Sequence, residues 1–249
     1  MKSNKLIHIL ALISILFSCQ KEIVRTSTNV ENSITSVKVN KTDIATIKFI
    51  EPYKNQLDEE MNKVIGTCPI ELIEEDYQST LGNFIIDLIL FQSEKTFNKK
   101  IDMAVVTNGG LRTPMPEGKV TVGNIFELMP FNNEIVVLEL QGEAVIKMMH
   151  YAAFKGNAVF AGVKYKVKNG QTEDIMIAGE PFDYDRIYTL AVSDYLATGG
   201  DKMYFLKEAT KTHLIGLVFR DAIINHIKEL TNNGKNIIGN KDDRVVLIN

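Results

Sequence analysis

The sequence predicts a mixed α/β domain, on three observations. Apolar runs with the two-residue period of strands are interspersed with runs at helical spacing, without the strict alternation of a doubly wound parallel sheet. The clearest helical period places Ala144, Val145, Met148, Met149, Ala152 and Ala153 on one face. Asn169–Gly170 stands between two alternating segments and signals a two-residue hairpin, so part of the sheet is antiparallel.

Element by element, Ile44 to Ile50 alternates weakly and predicts a strand. Tyr53, Leu57, Met61 and Val64 recur at helical spacing and predict an amphipathic helix over 53–65. Glu71, Glu74, Glu75 and Asp76 form an acidic run that reads as solvated surface. Leu81 to Phe91, apolar apart from Gly82, Asn83 and Asp87, predicts a largely buried helix. Ala104–Val106 is a short buried strand and Glu134–Leu140 a longer one rich in Val and Ile. Val163–Lys168 and Ile175–Ile177 flank the hairpin, and Ile187–Val192 is a further strand. Ala222, Ile223, Ile227 and Leu230 mark a late helix, and Val245–Ile248 a final strand.

The N-terminal residues read as an export signal. Lys2 and Lys5 form a basic start, and the apolar stretch Leu6–Phe17 is too short to span a bilayer as a final structure. Leu16–Phe17–Ser18–Cys19 closes it and resembles a bacterial lipobox. Residues 1–18 are therefore expected to be a lipoprotein signal peptide, with Cys19 the lipidated first residue of the mature chain; an ordinary signal peptide with an incidental Cys is the alternative. A lipid at Cys19 places the domain on a bacterial membrane, the outer one being expected, outside the cytoplasm and without crossing the bilayer. Residues 19–43, rich in Ser, Thr, Asn, Lys and Val, read as a flexible tether, and 44–249 as one domain.

Loss of Lys2 and Lys5 takes the formal charge from −3 to −5. This argues against a nucleic-acid polymer as partner, while small anions need only a local positive site. Cys68 alone remains after lipidation, so no internal disulfide is expected and the thiol reads as a buried apolar side chain.

Two glycine-bearing segments carry the chemistry: Thr107–Asn108–Gly109–Gly110–Leu111–Arg112 and Ala197–Thr198–Gly199–Gly200–Asp201. Each follows a β-branched run and ends in one charged side chain. Arg112 has the fork geometry to grip phosphate or carboxylate oxygens; a surface ion pair is the competing role. Asp201 suits vicinal ribose hydroxyls; a turn or helix-cap Asp competes. Phe131, in the loop Met129–Pro130–Phe131–Asn132–Asn133, and Tyr195 are either stacking platforms or plugs of the core.

Hydrolytic chemistry is poorly represented. Two-metal phosphoester hydrolysis uses clustered Asp, His and Asn. His8 lies in the signal, and His150, His213 and His226 are scattered, without Asp-x-His or His-x-His pairs. No Gly-x-Ser-x-Gly and no phosphate loop ending in Gly-Lys-Ser/Thr occurs.

Four segments in order resemble the C-terminal, substrate-binding domain of the 5′-nucleotidases. Ser79–Thr80–Leu81–Gly82–Asn83 is similar to the family's helix-opening Asn-x-Gly-Asn stretch, and Thr107–Arg112 to its Asn-x-Gly-Gly-Ile-Arg motif. Gly123–Asn124 with Pro130–Phe131–Asn132–Asn133 resembles its Pro-Phe-Gly-Asn region, and Tyr195–Asp201 its aromatic-x-x-Thr-Gly-Gly-Asp motif. The resemblance runs from about Ile47 to Ile248 and implies a layered α/β sandwich. It also implies that Phe131 and Tyr195 stack on the base, Asp201 holds the ribose, Arg112 the phosphate, and Asn133 the base or its surroundings. Asn108 and Gly110 join as substrate-binding members of the glycine motif. Either Thr107 or Asn108 takes the family's Asn role, and Tyr77 stands where a further substrate Arg is common.

The resemblance covers no metal-binding phosphoesterase domain, and the tether is expected to leave no room for one. The resemblance thus implies the substrate-binding half of a split 5′-nucleotidase in nucleotide catabolism. It would present a nucleoside 5′-phosphate to a separate metallophosphoesterase chain, with divalent metals in that partner and no cofactor or catalytic residue in this chain. A non-catalytic nucleotide- or nucleoside-binding surface lipoprotein is the alternative. Stacking alone would leave base preference loose.

Overall fold

A computed structural model of the protein describes residues 44–248. The expected signal peptide, Cys19 and the tether lie outside these residues. The elements are α1 (Ile44–Met61), β1 (Val64–Cys68), α2 (Thr80–Phe97), β2 (Met103–Thr107), β3 (Gly118–Thr121), α3 (Val122–Leu128), β4 (Glu134–Gln141), α4 (Gly142–Lys155), β5 (Ala158–Ala161), β6 (Val163–Lys168), β7 (Gln171–Ile177), β8 (Glu180–Pro181), β9 (Ile187–Ser193), α5 (Asp194–Ala197), β10 (Lys211–Val218), α6 (Phe219–Asn232) and β11 (Val245–Ile248).

The strand expected over Ile44–Ile50 is instead the first part of α1, and the helix expected over 53–65 ends at Met61. The weak alternation came from residues that also share one face of a helix: Phe49, Ile50, Tyr53 and Leu57 lie within a third of a turn of one another. Phe49 and Tyr53, four apart, bring their rings to 6.0 Å. Beyond Met61 the β-branched Val64, Ile65 and Thr67 pair as β1 with β3, antiparallel.

Five strands form the central sheet in the order β10-β4-β9-β2-β5. Only β2 and β9 run parallel; the other neighbours in this sheet are antiparallel. Strict alternation divides this sheet between two cores. Ala104, Val106, Ile135, Val137, Val159, Ala161 and Ala191 face one core, shared with α2, α3 and α6. Met103, Val105, Val136, Leu138, Leu140, Phe160, Leu190 and Val192 face the other, with α4 and strands β6 and β7. A four-stranded sheet in the order β11-β6-β7-β8 lies beyond α4. Helices, sheet, helix and sheet thus make the expected layered α/β sandwich. The predicted face of α4 is the one that buries Ala144, Val145, Met148, Met149, Ala152 and Ala153. The Asn169–Gly170 hairpin joins β6 and β7, with both residues at positive φ.

Local chemistry fixes the ends of the main helices. Ser79 caps α2, its hydroxyl accepting from the Gly82 amide at 2.8 Å, and Thr121 with Asn124 forms a capping box on α3. Arg244, buried at 9% exposure, ties the C-terminal segment to α2 and β5. It donates to both carboxylate oxygens of Asp87, to both of Asp242 and to the Phe160 carbonyl. Cys68 is fully buried and its thiol donates to the Ile70 carbonyl; burial pushes its pKa up.

Candidate functional site

Strand direction brings the predicted residues together. Because β2 and β9 are parallel neighbours, the glycine segments that follow them leave the sheet at the same edge, where open α/β sheets carry ligands. β4 runs antiparallel to β9 with Ile135 opposite Ser193, so the loop that precedes it, holding Phe131 and Asn133, reaches that edge too. β10 ends there as well, with Val218 opposite Glu134, and delivers Phe219. A cavity of about 410 Å³ opens between these segments, lined by Thr107, Gly110, Arg112, Phe131, Asn133, Tyr195, Asp201 and Phe219 among others.

Asp201 sits in the left-handed region at φ 49° after Gly199 at φ 91°. Three side chains hold it there. Its Oδ2 accepts from Thr107 Oγ1 at 2.6 Å, its Oδ1 from the Tyr195 hydroxyl at 3.0 Å, and its carbonyl from the Tyr151 hydroxyl at 2.7 Å. A carboxylate has about four acceptor directions, so both oxygens keep capacity for a diol. Gly200 is required by close approach: a Cβ there would fall 2.5 Å from a Tyr195 ring carbon. Its absence lets the ring lie against the backbone, half-exposed toward the cavity.

Arg112 is exposed. One guanidinium nitrogen donates to the Gly109 carbonyl at 3.1 Å, and the group stands 5.7 Å from the Phe131 ring centroid. The turn backbone thus aims the fork along the cavity wall while leaving most of its donors open to an anion. The charge of Arg112 also acts on Glu74. Its carboxyl is pushed up to about 6, partial burial outweighing the attraction of Arg112.

Asn108 stands outside this cavity: its amide nitrogen donates to the Glu75 carbonyl at 3.1 Å. Thr107 lines the cavity and holds Asp201, so it is Thr107 whose side chain reaches the site. Tyr77, at φ 64°, is not among the lining residues; its amide donates to the Gly156 carbonyl. The histidines pack elsewhere: His150 Nδ1 bonds Thr172, His213 bonds Glu139, and half-buried His226 packs against Phe84 and Phe91. Among the described residues no group of three or more His, Cys, Asp or Glu could hold a metal ion.

Sequence reasoning missed Arg220. It is buried at 9% exposure, and its guanidinium donates to the Met129 and Phe131 carbonyls at 3.2 Å each and to Asn132 Oδ1 at 2.6 Å. Its Cζ lies 4.0 Å from the Phe126 ring centroid. This one side chain splints the loop that presents Phe131. The signal was available: a lone cation follows the apolar run Ile215–Phe219 and opens an amphipathic helix.

The family model described as "5'-nucleotidase, C-terminal domain" matches residues 64–208, more than half of the chain. The chain belongs to the 5′-nucleotidase C-terminal domain family. It is 29% identical over 171 residues to a 5′-nucleotidase of Vibrio vulnificus, covering 65% of this chain and 30% of that protein. It is likewise 29% identical over 166 residues to protein UshA of Escherichia coli K12, covering 62% and 29%. The crystal structure of a 5′-nucleotidase precursor from Thermus thermophilus shares the fold, with TM-score 0.70 at 24% identity, over 83% of this chain and 44% of that one. This 5′-nucleotidase C-terminal domain therefore spans about 30% of the length of the curated relatives. The cavity residues Arg112, Phe131, Asn133, Tyr195 and Asp201 lie inside the matched stretch, whereas Phe219 and Arg220 lie beyond it.

Proposed function

We propose that this chain binds a nucleoside 5′-phosphate and presents it to a metallophosphoesterase carried on a separate chain. The observation that supports this reading is the gathering of one cation, one carboxylate and two half-exposed aromatic rings around a single cavity of about 410 Å³, a volume suited to a small ligand. Phe131 and Tyr195 offer flat apolar faces to a base, Asp201 accepts from ribose hydroxyls, and Arg112 takes the phosphate. These groups bind and orient; metals held by the partner would supply the Lewis acid and the activated water. The lipid at Cys19 would hold the domain at the outer membrane surface, which is part of the same proposal.

The test is hydrolysis of AMP and GMP by a metallophosphoesterase with and without this protein. An increase in rate that is lost in Arg112→Ala is expected. No increase over the phosphoesterase alone, with Arg112→Ala neutral, overturns the split-enzyme reading.

A further inference from the structure

We infer that the base end of the cleft selects guanine, and that Asp194 is the residue that does so. The inference rests on the nucleotide-binding reading and adds the identity of the base. The main cavity continues past Tyr195 into an open one of about 300 Å³, lined by Asn133, Asp194, Tyr195 and Thr198. Asn133 and Tyr195 line both, so the two spaces adjoin at the Tyr195 ring, on which a base would stack.

Two polar side chains there are unspent. Asp194, half-buried at the start of α5, uses Oδ1 to accept from the Tyr195 amide at 2.7 Å; its Oδ2 has no partner among the described residues. The Asn133 side-chain amide makes no hydrogen bond there either, only its backbone carbonyl accepting from the Phe219 amide. Thr198 is already engaged, its hydroxyl bonded back to the Asp194 and Tyr195 carbonyls. The free groups are thus a carboxylate oxygen and an amide donor lining the same open space. Guanine presents the complement on one edge: the O6 acceptor next to the N1–H and N2–H donors. Oδ2 keeps both its acceptor directions and Oδ1 one, so the carboxylate can accept those two donors as charge-assisted bonds, and the amide donates to O6. Hypoxanthine lacks the N2 donor. Adenine turns its N1 acceptor toward the carboxylate, desolvating Asp194 with no compensating bond. A site built to accept from a ligand N–H discriminates strongly against the analogue without it.

The experiment is isothermal titration of the full chain with guanosine, inosine and adenosine, without metal or partner. Guanosine should bind at least tenfold tighter than adenosine, with inosine between them. Asp194→Asn keeps an acceptor for the Tyr195 amide and should bring guanosine to the adenosine level, adenosine itself changing less than threefold. Asn133→Ala should weaken guanosine and inosine alike. Equal affinity of the wild type for guanosine and adenosine, or equal losses of both in Asp194→Asn, overturns the inference and leaves nucleotide binding standing. Failure of all three nucleosides to bind overturns the nucleotide-binding reading, and guanine selection with it.

Discussion

The Tyr195 hydroxyl reaches Asp201 Oδ1 at 3.0 Å, although six residues of chain separate the two, because Gly199 and Gly200 fold the turn back under the ring. The ring that would stack on a base and the carboxylate that would hold the sugar are therefore one rigid unit. Thr107 fixes the other carboxylate oxygen from the neighbouring parallel strand. Such preorganisation lowers the ordering cost of binding.

This unit makes the sugar contact measurable. A hydrogen bond from a neutral donor to a charged acceptor is worth roughly 1.5–3 kcal/mol. Wild-type protein should bind a ribonucleoside more tightly than its 2′,3′-dideoxy analogue by about that amount in titration calorimetry. Asp201→Asn should shrink the difference, since a neutral amide oxygen is the weaker acceptor. An undiminished difference in Asp201→Asn would show that the sugar is read elsewhere.

The aromatic pair separates stacking from packing. Phe131→Ala and Tyr195→Ala should each weaken nucleoside binding by roughly 1–3 kcal/mol. Phe131 is 40% and Tyr195 52% exposed, so little core is lost and melting temperatures should move only slightly. A large drop in melting temperature with affinity retained would assign the rings to the core instead. Tyr195→Phe keeps the face but loses the bond to Asp201, so it should weaken binding less than Tyr195→Ala does.

Much of this fold was legible because its signals are local. The face of α4 and the Asn169–Gly170 hairpin follow from residue spacing alone, and both hold in the structure. Several short or irregular strands escaped. β1, β3 and β5 span four or five residues each, too few for periodicity alone to mark them, although the equally short β2 and β11 were read, and β10 breaks its register between Leu214 and Leu217, with Gly216 at positive φ. α1 was misread because Ile44–Ile50 satisfies both periods over so short a window. Within the site, the charged ends and the rings could be named from their motifs. Their convergence could not, since it depends on β2 and β9 being parallel neighbours, a long-range pairing with no local trace. The position of Arg220 at the head of a helix is visible in the sequence, but its role is not, since three acceptors from one distant loop meet its guanidinium only in the fold.

Arg220 couples stability to binding through that loop. Replacing it by Met leaves the Met129 and Phe131 carbonyls and Asn132 without their shared donor and frees the loop. Removing one member of a buried polar network costs about 2–3 kcal/mol. Urea unfolding should show that loss. At temperatures where the variant is folded, nucleoside affinity should also fall, because Phe131 must be ordered at the moment of binding. Arg220→Lys keeps the charge but lacks the planar fork whose two nitrogens reach the carbonyls and Asn132 separately, so it should recover only part of the affinity.

Arg244, outside the cavity lining, governs acid stability. Burial works against its charge, yet the Asp242 and Asp87 carboxylates raise its pKa, and the Arg244 bonds hold Asp242 below its usual value. A depressed folded-state pKa gives stability that is complete above the ordinary aspartate range, about pH 4, and is lost as pH falls through the depressed value. Arg244→Met should cost about 2–3 kcal/mol at pH 7, toward the low end of buried pairs because both carboxylates can rehydrate. Below pH 4 the variant should lose less further stability than the wild type, read from urea midpoints across pH 2–7.

Glu74 offers a pH test of the phosphate end. Burial pushes its carboxyl up to about 6 despite the pull of Arg112. Below pH 5 Glu74 is neutral and Arg112 is free for an anion; above pH 7 it is charged and competes for the same guanidinium. Because a phosphate ligand also changes charge near pH 6, the quantity to measure is the ratio of affinities for a nucleoside monophosphate in Glu74→Gln and wild type at each pH. That ratio should be near one at pH 5 and rise in favour of Glu74→Gln through pH 6 to 7. Stability should move in the same sense. A raised carboxylate pKa favours the folded state only while protonated, so Glu74→Gln should gain over wild type as pH rises from about 4.5 to above 6. A ratio that stays flat from pH 5 to 8 would mean that Glu74 and the phosphate do not share Arg112.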